Sequence, residues 1–354
     1  MAVINILPTG TFQGDDARLQ RWLNVSRRNF ITYGVAQSLP KVSPLTYVLM
    51  KRSRSMPFGG AWGVSPVIST NYVQPQYVYG DADTFTINDT PVEVVNANYH
   101  PALMLQTVRL TYKELASYDN PNNLVDLLAK KVENATRSIF TEMCERTATD
   151  DGSPTTSFKP YGIGDIVDNG TLCTDLAQID RATNLWWNSP IYNYETLNPD
   201  NPPLFRGVQR AIVKYLAEFG NAWGKPTVGF TSYDAFQKIA ESFQAIEQYK
   251  IGDINNIASG RSYEVVGITI QGIPIYPDPY IQTYSVNGKN YSDIYFLNLD
   301  YLELVFADPF VFYMDEWVRE TVNGRLSYMT VILTSWNLIT IHPQAHFKLV
   351  KVPS

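Results

Sequence analysis

The sequence predicts an α+β protein in which long β segments surround a single long helix. Three observations support this fold class. Residues 56 to 112 are rich in β-branched and aromatic residues, apolar residues recur at helical intervals from 121 to 147, and a further β-prone run covers 326 to 341. With 354 residues, 45% of them hydrophobic, the chain can bury a substantial core in two or three domains.

Residues 1 to 55 have weak periodicity and scattered proline and glycine, which predicts an extended arm with one short helix near 15 to 29. From Ala17 to Gly80 there are eight basic residues and no acidic one, although the net charge of the chain is −6. This asymmetry predicts an acidic partner, either nucleic acid or a neighbouring subunit; the alternative is a solvated basic surface. The residues expected to make the contact are Arg18, Arg21, Arg27 and Arg28.

The segment from Met56 to Tyr112 is expected to form a long two-stranded excursion. At its end, Val108, Leu110 and Tyr112 alternate with polar residues, which places three apolar side chains on one face of a strand. A hairpin alone is only marginally stable in water, so the excursion is expected to lean on another chain.

The long helix has the clearest signal in the sequence. Asn120 and Pro121 supply an N-cap and a proline at the first helical position, and apolar residues then recur every three or four positions as far as Met143. About 26 residues at roughly 1.5 Å each give a helix near 39 Å long.

The middle of the chain alternates predicted helices and strands. The helices are expected at 204 to 219 and 232 to 249, and the strands at 226 to 230, 264 to 276, 293 to 299, 302 to 306, 326 to 341 and near Val350. The stretch from Lys250 to Ser262 is predicted to be a flexible loop, because it is rich in glycine and asparagine.

The sequence contains few signals for catalysis. No phosphate-binding or dinucleotide glycine motif and no GxSxG elbow occurs, so neither a cofactor nor a catalytic site is expected. His342 and His346 are four residues apart, but Pro343 argues against the helix that a metal pair would need, and a surface or turn position is expected instead. Cys144 and Cys173 are expected to be small buried side chains. No apolar stretch approaches the roughly 18 to 20 residues that cross a bilayer, so no membrane partner is expected.

Aromatic residues, 13% of the chain, leave a second class of function open. Trp186, Trp187 and the nearby tyrosines could form a platform for sugar stacking, as in a carbohydrate-active enzyme or a lectin. Burial in a core or a subunit contact is the favoured interpretation.

The order of the predicted parts resembles the Hong Kong 97-type capsid fold over nearly the whole chain. The segments that carry the resemblance are Tyr112 to Pro121 before the long helix, Asp151-Gly152 and Pro160 to Ile163 after it, Ile179 to Trp187, and the strand from Gly267 to Tyr276.

The resemblance implies a division of the chain into mechanical parts. These are an N-terminal arm (1–55), an E-loop (56–112), a peripheral domain (113–160) with its spine helix at about 121–147, an axial domain (161–299), and a return to the peripheral domain (300–354). It also implies that the predicted loop lies at the centre of a capsomer, with Gly252, Asn255, Asn256 and Gly260.

The implied function is that of a major capsid protein of a tailed bacteriophage, which is not an enzyme. Its subunits would form the pentamers and hexamers of an icosahedral head around double-stranded DNA, with separate scaffold, portal and cementing proteins. The implied location is the virion, and the host cytoplasm during assembly. No lysine occurs between Lys51 and Lys113, whereas family members that crosslink their shells carry one in the E-loop, so a non-covalent shell is expected. An encapsulin-type nanocompartment is the alternative with the same fold.

Overall fold

The computed structural model describes residues 43–68, 94–117, 121–149, 159–200, 202–244, 251–253, 266–320 and 327–354. Its helices are α1 (Pro44–Lys51), α2 (Tyr112–Ser117), α3 (Pro121–Ala148), α4 (Ile163–Ile166), α5 (Tyr194–Leu197), α6 (Leu204–Glu218), α7 (Gly220–Trp223) and α8 (Tyr233–Gln244). Its strands are β1 (Arg54–Pro57), β2 (Trp62–Ile68), β3 (Val94–Tyr99), β4 (Ala102–Thr111), β5 (Asp175–Leu176), β6 (Ile179–Asp180), β7 (Ile191–Asn193), β8 (Val228–Thr231), β9 (Ile251–Asp253), β10 (Val266–Ile270), β11 (Ile273–Pro277), β12 (Tyr284–Val286), β13 (Lys289–Leu297), β14 (Leu302–Asp308), β15 (Tyr313–Met314), β16 (Val318–Glu320), β17 (Ser327–Thr340) and β18 (Phe347–Pro353).

The predicted long strand near 326 to 341 is confirmed as β17, the centre of a six-stranded sheet. Along one edge, ten residues of β17 pair antiparallel with β4. Along the other edge, β17 pairs in succession with β16, β15 and β14, and β1 joins β14 in parallel. One strand therefore holds together segments from both halves of the chain.

The predicted long helix is confirmed as α3, which has 28 residues and a length of about 42 Å. It packs on one face of the six-stranded sheet. Leu128 and Val132 of the helix share a core with Val108 and Leu110 of β4, and all four side chains are almost fully buried. The alternation seen in the sequence thus correctly identified the inner face of β4 for Val108 and Leu110, whereas Tyr112, expected on the same strand, is the first residue of α2.

The expectation of one two-stranded excursion from 56 to 112 is wrong at its end. The hairpin consists of β2 and β3, in register from Trp62 opposite Tyr99 to Ile68 opposite Val94. The following strand, β4, instead belongs to the six-stranded sheet. An alternating pattern indicates a strand and its buried face, but it does not identify the strand that pairs with it.

A second sheet has eight strands in the order β7-β18-β13-β8-β11-β10-β9, with β12 beside β13. The predicted helices of the middle region appear as α6 and α8, and both pack against this sheet. Ile275 and Phe296 share a core with these two helices, whereas Phe230 and Tyr295 on the other face join the core that contains α3. The eight-stranded sheet is therefore covered on both faces.

Two predicted elements differ in the structure. The single strand expected from 264 to 276 is a hairpin, β10 and β11, which turns at Gln271 and Gly272 with φ of 51° and 72°. Positive φ at both positions is typical of a tight hairpin turn, which was hidden by the apolar residues on either side. The predicted loop at 250 to 262 contains a short strand, β9, because its backbone pairs with β10.

The end of the chain differs from the division expected from sequence. Residues 300 to 354 were assigned to the peripheral domain, but β18 lies between β13 and β7 in the eight-stranded sheet. Only β14 to β17 contribute to the six-stranded sheet. Composition cannot distinguish the two sheets, since both take apolar strands.

Candidate assembly surfaces

The face of the six-stranded sheet opposite α3 carries a grid of apolar side chains. The register places Tyr313 of β15, Leu333 of β17 and Leu105 of β4 in one row across the sheet. Directly opposed residues point to the same side of a sheet and successive residues of a strand to opposite sides, so every second row lies on the same face. The apolar side chains of this face, called the outer strip below, are Phe58, Leu103, Leu105, Phe310, Tyr313, Val318, Met329, Val331 and Leu333.

The outer strip is unusually exposed. Of the eleven large apolar side chains exposed in the described part of the chain, five belong to it, and Leu105 is 59% accessible. Within the strip, three aromatic side chains form a series. The Phe58 and Phe310 rings are 4.9 Å apart, and the Phe310 and Tyr313 rings are 6.2 Å apart. Contiguous exposed apolar surface in a water-soluble protein is typical of a binding surface.

A sequence signal for the outer strip exists and was missed. Ala102, Leu103, Met104 and Leu105 are four consecutive apolar residues at the start of β4. A strand that is apolar on both faces is normally covered on both. Only the later, alternating half of β4 was used to assign its inner face.

The base of the β2–β3 hairpin is tied to the body of the protein. The buried hydroxyl of Tyr99 donates to the carbonyl of Thr340 at 2.9 Å, and burial raises the pKa of Tyr99 far above its usual value. The Asn98 N–H donates to the carbonyl of Ala177 at 2.9 Å. The hairpin therefore starts from a fixed position beside β17.

Asn337 of β17 connects His100, the residue that follows β3, to the segment that follows α3. Its amide nitrogen donates to the carbonyl of His100 at 2.6 Å, and its carbonyl oxygen accepts the Tyr161 N–H at 2.9 Å. The Tyr161 hydroxyl in turn accepts the Ala177 N–H at 3.1 Å. One asparagine thus joins three segments that are distant in sequence.

A fully buried arginine supports the turn beneath the hairpin. Arg181 donates to the carbonyls of Asp165 and Ile166, each at 2.7 Å, and lies 3.8 Å from the Asp168 carboxylate. Asp168 in turn accepts backbone N–H groups of the loop that follows it, including that of Cys173 at 3.1 Å. A buried charge needs such partners, and here the partners also fix the loop conformation.

A groove of about 640 Å³ opens at the base of the hairpin. Its lining includes Phe58, His100, Leu103, Tyr161, Gln178 and Asn337. Phe58 and Leu103 also belong to the outer strip, so the groove and the strip form one continuous surface. The groove thus combines apolar, amide, imidazole and ammonium groups, which can bind another polypeptide.

The sequence-predicted contact residues are only partly placed. Arg18, Arg21, Arg27 and Arg28 lie outside the described residues, as do Asn255, Asn256 and Gly260. Gly252 lies in β9, opposite Gly267 of β10.

The residues considered for other chemistry are buried, except Trp186, which is partly buried against the core. The Trp187 side chain is fully buried and its indole N–H donates to the carbonyl of Leu176 at 3.0 Å, so its ring cannot stack on a sugar. Cys144 and Cys173 are buried as predicted, and burial raises their thiol pKa values to about 11 and about 12.

The expectation that both C-terminal histidines occupy a surface or turn is wrong for His346. Its ring is fully buried, because it fills the joint between the two sheets. Within the described residues, no group of three or more His, Cys, Asp or Glu side chains could hold a metal ion. None of the described helices combines the length and the apolar character needed to cross a bilayer.

No protein-family model matches the chain, and no curated protein matches it. Solved structures do. The capsid asymmetric unit of cyanophage A-1(L) is similar over 89% of this chain and 95% of that chain, with a TM-score of 0.57 and 15% identity. The SrpI encapsulin complex from Synechococcus elongatus PCC 7942 is similar over 89% and 90%, with a TM-score of 0.51 and 13% identity.

These comparisons show the fold. The chain has the Hong Kong 97-like fold of phage capsid and encapsulin subunits, with mixed α+β architecture, as the sequence predicted. Because the identities are low, the comparisons show the architecture and leave the biological role to the surfaces described above.

Proposed function

We propose that this protein is the major capsid protein of a tailed bacteriophage. Its copies assemble as pentamers and hexamers into an icosahedral head that encloses double-stranded DNA. The observation that supports this most directly is the outer strip, an apolar sheet face that the described residues leave exposed and that neighbouring copies in a shell would cover. A shell role needs no catalytic chemistry and no cofactor.

The parts of the chain have separate roles in this proposal. Residues 1–55 act as an arm whose last part is anchored in the body of the protein, because Leu45, Val48 and Leu49 of α1 are buried in the core and β1 pairs with β14. Residues 56–112 contain the hairpin that overlaps a neighbour, and 113–160 with 300–354 form the peripheral domain, from which β18 extends to the axial sheet. Residues 161–299 form the axial domain, whose loop with Gly252, Asn255, Asn256 and Gly260 lies at the capsomer centre. The strong anchoring of Tyr99 and Asn337 supports a hairpin that transmits force between subunits.

The shell is held together without covalent crosslinks and works with separate scaffold, portal and cementing proteins. The absence of lysine between Lys51 and Lys113 supports the first part of this proposal. Boiled particles should therefore run as monomers on denaturing gels, and a ladder of covalent oligomers would contradict it. The protein acts in the virion and is assembled in the host cytoplasm.

An encapsulin-type shell is the second candidate, since an encapsulin is among the similar structures. Of the eight basic residues between Ala17 and Gly80, Arg52 and Arg54 pair with Asp300 and Glu303 of the same chain. The arginines at 18, 21, 27 and 28 favour a nucleic-acid cargo, because basic side chains bind backbone phosphates regardless of sequence. Particles purified from the native source should contain DNA. A copurifying enzyme in their place would support the encapsulin.

Assembly of the expressed protein tests the proposed function. Electron microscopy should show shells, tubes or capsomers, and Leu105→Asp should abolish them because it puts a charge on the outer strip. Val213→Asp is the matched control, since Val213 is 52% exposed on α6, away from the strip. A stable monomer that forms no assembly under any condition would contradict the proposal.

A further inference from the structure

The two-residue turn between β12 and β13 contains a chemically labile dipeptide. Asn287 and Gly288 have φ of 52° and 76°, and both residues are exposed. Positive φ at both positions is typical of the Asn-Gly turns that join antiparallel strands. The same dipeptide begins at Asn169 and at Asn323, the second of which lies outside the described residues. The sites at Asn287 and Asn169 therefore place one sequence motif in two different environments of the same chain.

An asparagine that precedes glycine can lose its side-chain amide without an enzyme. The Gly288 nitrogen gives up its proton and attacks Cγ of Asn287, the bond from Cγ to Nδ2 breaks, and ammonia leaves. The product is a cyclic succinimide, and water opens its ring to give aspartate or isoaspartate. Glycine favours the attack because it has no side chain beside its nitrogen. The reaction therefore needs water and a backbone that can rotate.

The Asn169 site is held in a fixed conformation. The Gly170 N–H donates to the Asp168 carboxylate at 2.9 Å, and the Thr171 hydroxyl donates to the side-chain oxygen of Asn169 at 2.8 Å. A Cβ added at Gly170 would lie 3.1 Å from Cβ of the fully buried Arg181, so this backbone has little room to rotate. The Asp168 carboxylate also disfavours loss of the Gly170 amide proton, because an amide anion would face a negative charge.

The Asn287 site has none of these restraints among the described residues. Neither the Asn287 side chain nor the Gly288 N–H forms a hydrogen bond there. A Cβ added at Gly288 would meet no atom within 4 Å, so the surrounding space is open. The next residue is Lys289, whose positive charge favours the amide anion.

The turn at Asn287 can also open locally. β12 has three residues, two exposed and one half-buried, and within the described part of the chain it pairs with β13 alone. Short strands with few buried contacts open at a much lower free energy than the whole protein unfolds. The open turn gives the Gly288 nitrogen the rotation that it needs to reach Cγ of Asn287.

We propose that Asn287 is a modification site, at which the folded protein converts to aspartate and isoaspartate, whereas the fold protects Asn169. Isoaspartate routes the backbone through Cγ and so lengthens the two-residue turn by one carbon atom. The lengthened turn no longer matches the register of Val286 opposite Lys289, and β12 loosens from β13. Since Tyr284 of β12 donates to the Asp293 carboxylate at 2.7 Å, the modification weakens this edge of the eight-stranded sheet.

Peptide mapping by mass spectrometry tests the site. The free chain is kept in mildly alkaline buffer, folded in one sample and unfolded by urea in another, and conversion at Asn287 and Asn169 is followed over time. In the folded chain, Asn287 should convert at least about tenfold faster than Asn169, because only its turn opens readily. In urea the two sites should convert at similar rates, since the dipeptide alone then sets the rate.

Two results would overturn the proposal. One is equal conversion of Asn287 and Asn169 in the folded chain. The other is conversion of neither residue in the folded chain under conditions that convert both in urea, because the turn would then stay closed. Neither measurement requires assembly, so the outcome is independent of the shell role.

Hydrogen exchange separates the change of backbone from the change of charge. A chain aged until it carries isoaspartate at position 287 should exchange the amide hydrogens of β12 faster than a fresh chain. Asn287→Asp is the matched control, because it adds the same charge but keeps the normal backbone, and it should exchange like the fresh chain. Unchanged exchange in the aged chain, or equally fast exchange in Asn287→Asp, would contradict the loosening of β12 by isoaspartate.

Discussion

The two sheets of this protein differ in how completely one chain covers them. The eight-stranded sheet has α6 and α8 on one face and the larger core on the other, so β8 is buried at every position. Among the described residues, the six-stranded sheet has α3 on one face and the exposed outer strip on the other. The described residues thus cover both faces of the first sheet but one face of the second.

The largest expected effect concerns His346, which joins the two sheets. Its Nδ1 accepts the N–H of Asn298 after β13 at 3.0 Å, and its Nε2 lies 3.2 Å from the Thr340 hydroxyl at the end of β17. Burial, and to a lesser extent the charge of His342, lowers the pKa of His346 from 6.5 to about 3. The His346 ring is therefore protonated near pH 6.5 in the unfolded chain but only near pH 3 in the folded chain. The free energy of unfolding should fall as the pH falls through this window, by on the order of 4 kcal/mol at pH 3.

Urea unfolding of the free chain between pH 7 and pH 3.5 measures this loss. His346→Gln should remove the part of the pH dependence due to this ring, and His100→Gln, at the exposed base of the hairpin, should retain it. If the wild type and His346→Gln lose stability in parallel, the ring does not hold the two sheets together as a neutral group.

A matched pair of truncations compares the sheets themselves. Ile275→Ala, at a fully buried side chain of the eight-stranded sheet, should lower the free energy of unfolding of the monomer by about 3 kcal/mol. Leu105→Ala, on the outer strip, should change it by less than about 0.5 kcal/mol, since that side chain is already in water. Denaturant titrations of the unassembled protein give both values. Equal losses would show that the outer strip is covered within one chain.

The smallest expected effect concerns the contact between α6 and α5. A methyl group added at Gly207 would lie 2.3 Å from the Tyr194 ring, whereas one added at Gly59 would meet no atom within 4 Å. Gly207→Ala should therefore destabilise the monomer by about 1 to 2 kcal/mol, even though alanine favours a helix. Gly59→Ala should have no measurable effect on thermal unfolding. A neutral Gly207→Ala would mean that α6 and α5 are less tightly packed than the contact implies.

Local sequence patterns predicted the positions of helices and strands better than they predicted which strands pair. The cap and the apolar stripe of α3 identified that helix almost to the residue, because both signals lie within the helix itself. The same reasoning placed β4 in the excursion and β18 with the peripheral strands, since strand pairing depends on residues far away in sequence. His346 was misjudged for the same reason, because its burial comes from Asn298 and Thr340.

By itself, the sequence determined the order and type of the main elements, the segregation of positive charge in the arm, and the absence of familiar catalytic motifs. All of these depend on residues that are close along the chain. The tertiary structure decided that β4 crosses to β17, and that one face of their sheet remains exposed among the described residues. These features arise because strands from distant segments share one register, and they turn a set of apolar residues into a surface that another subunit can bind.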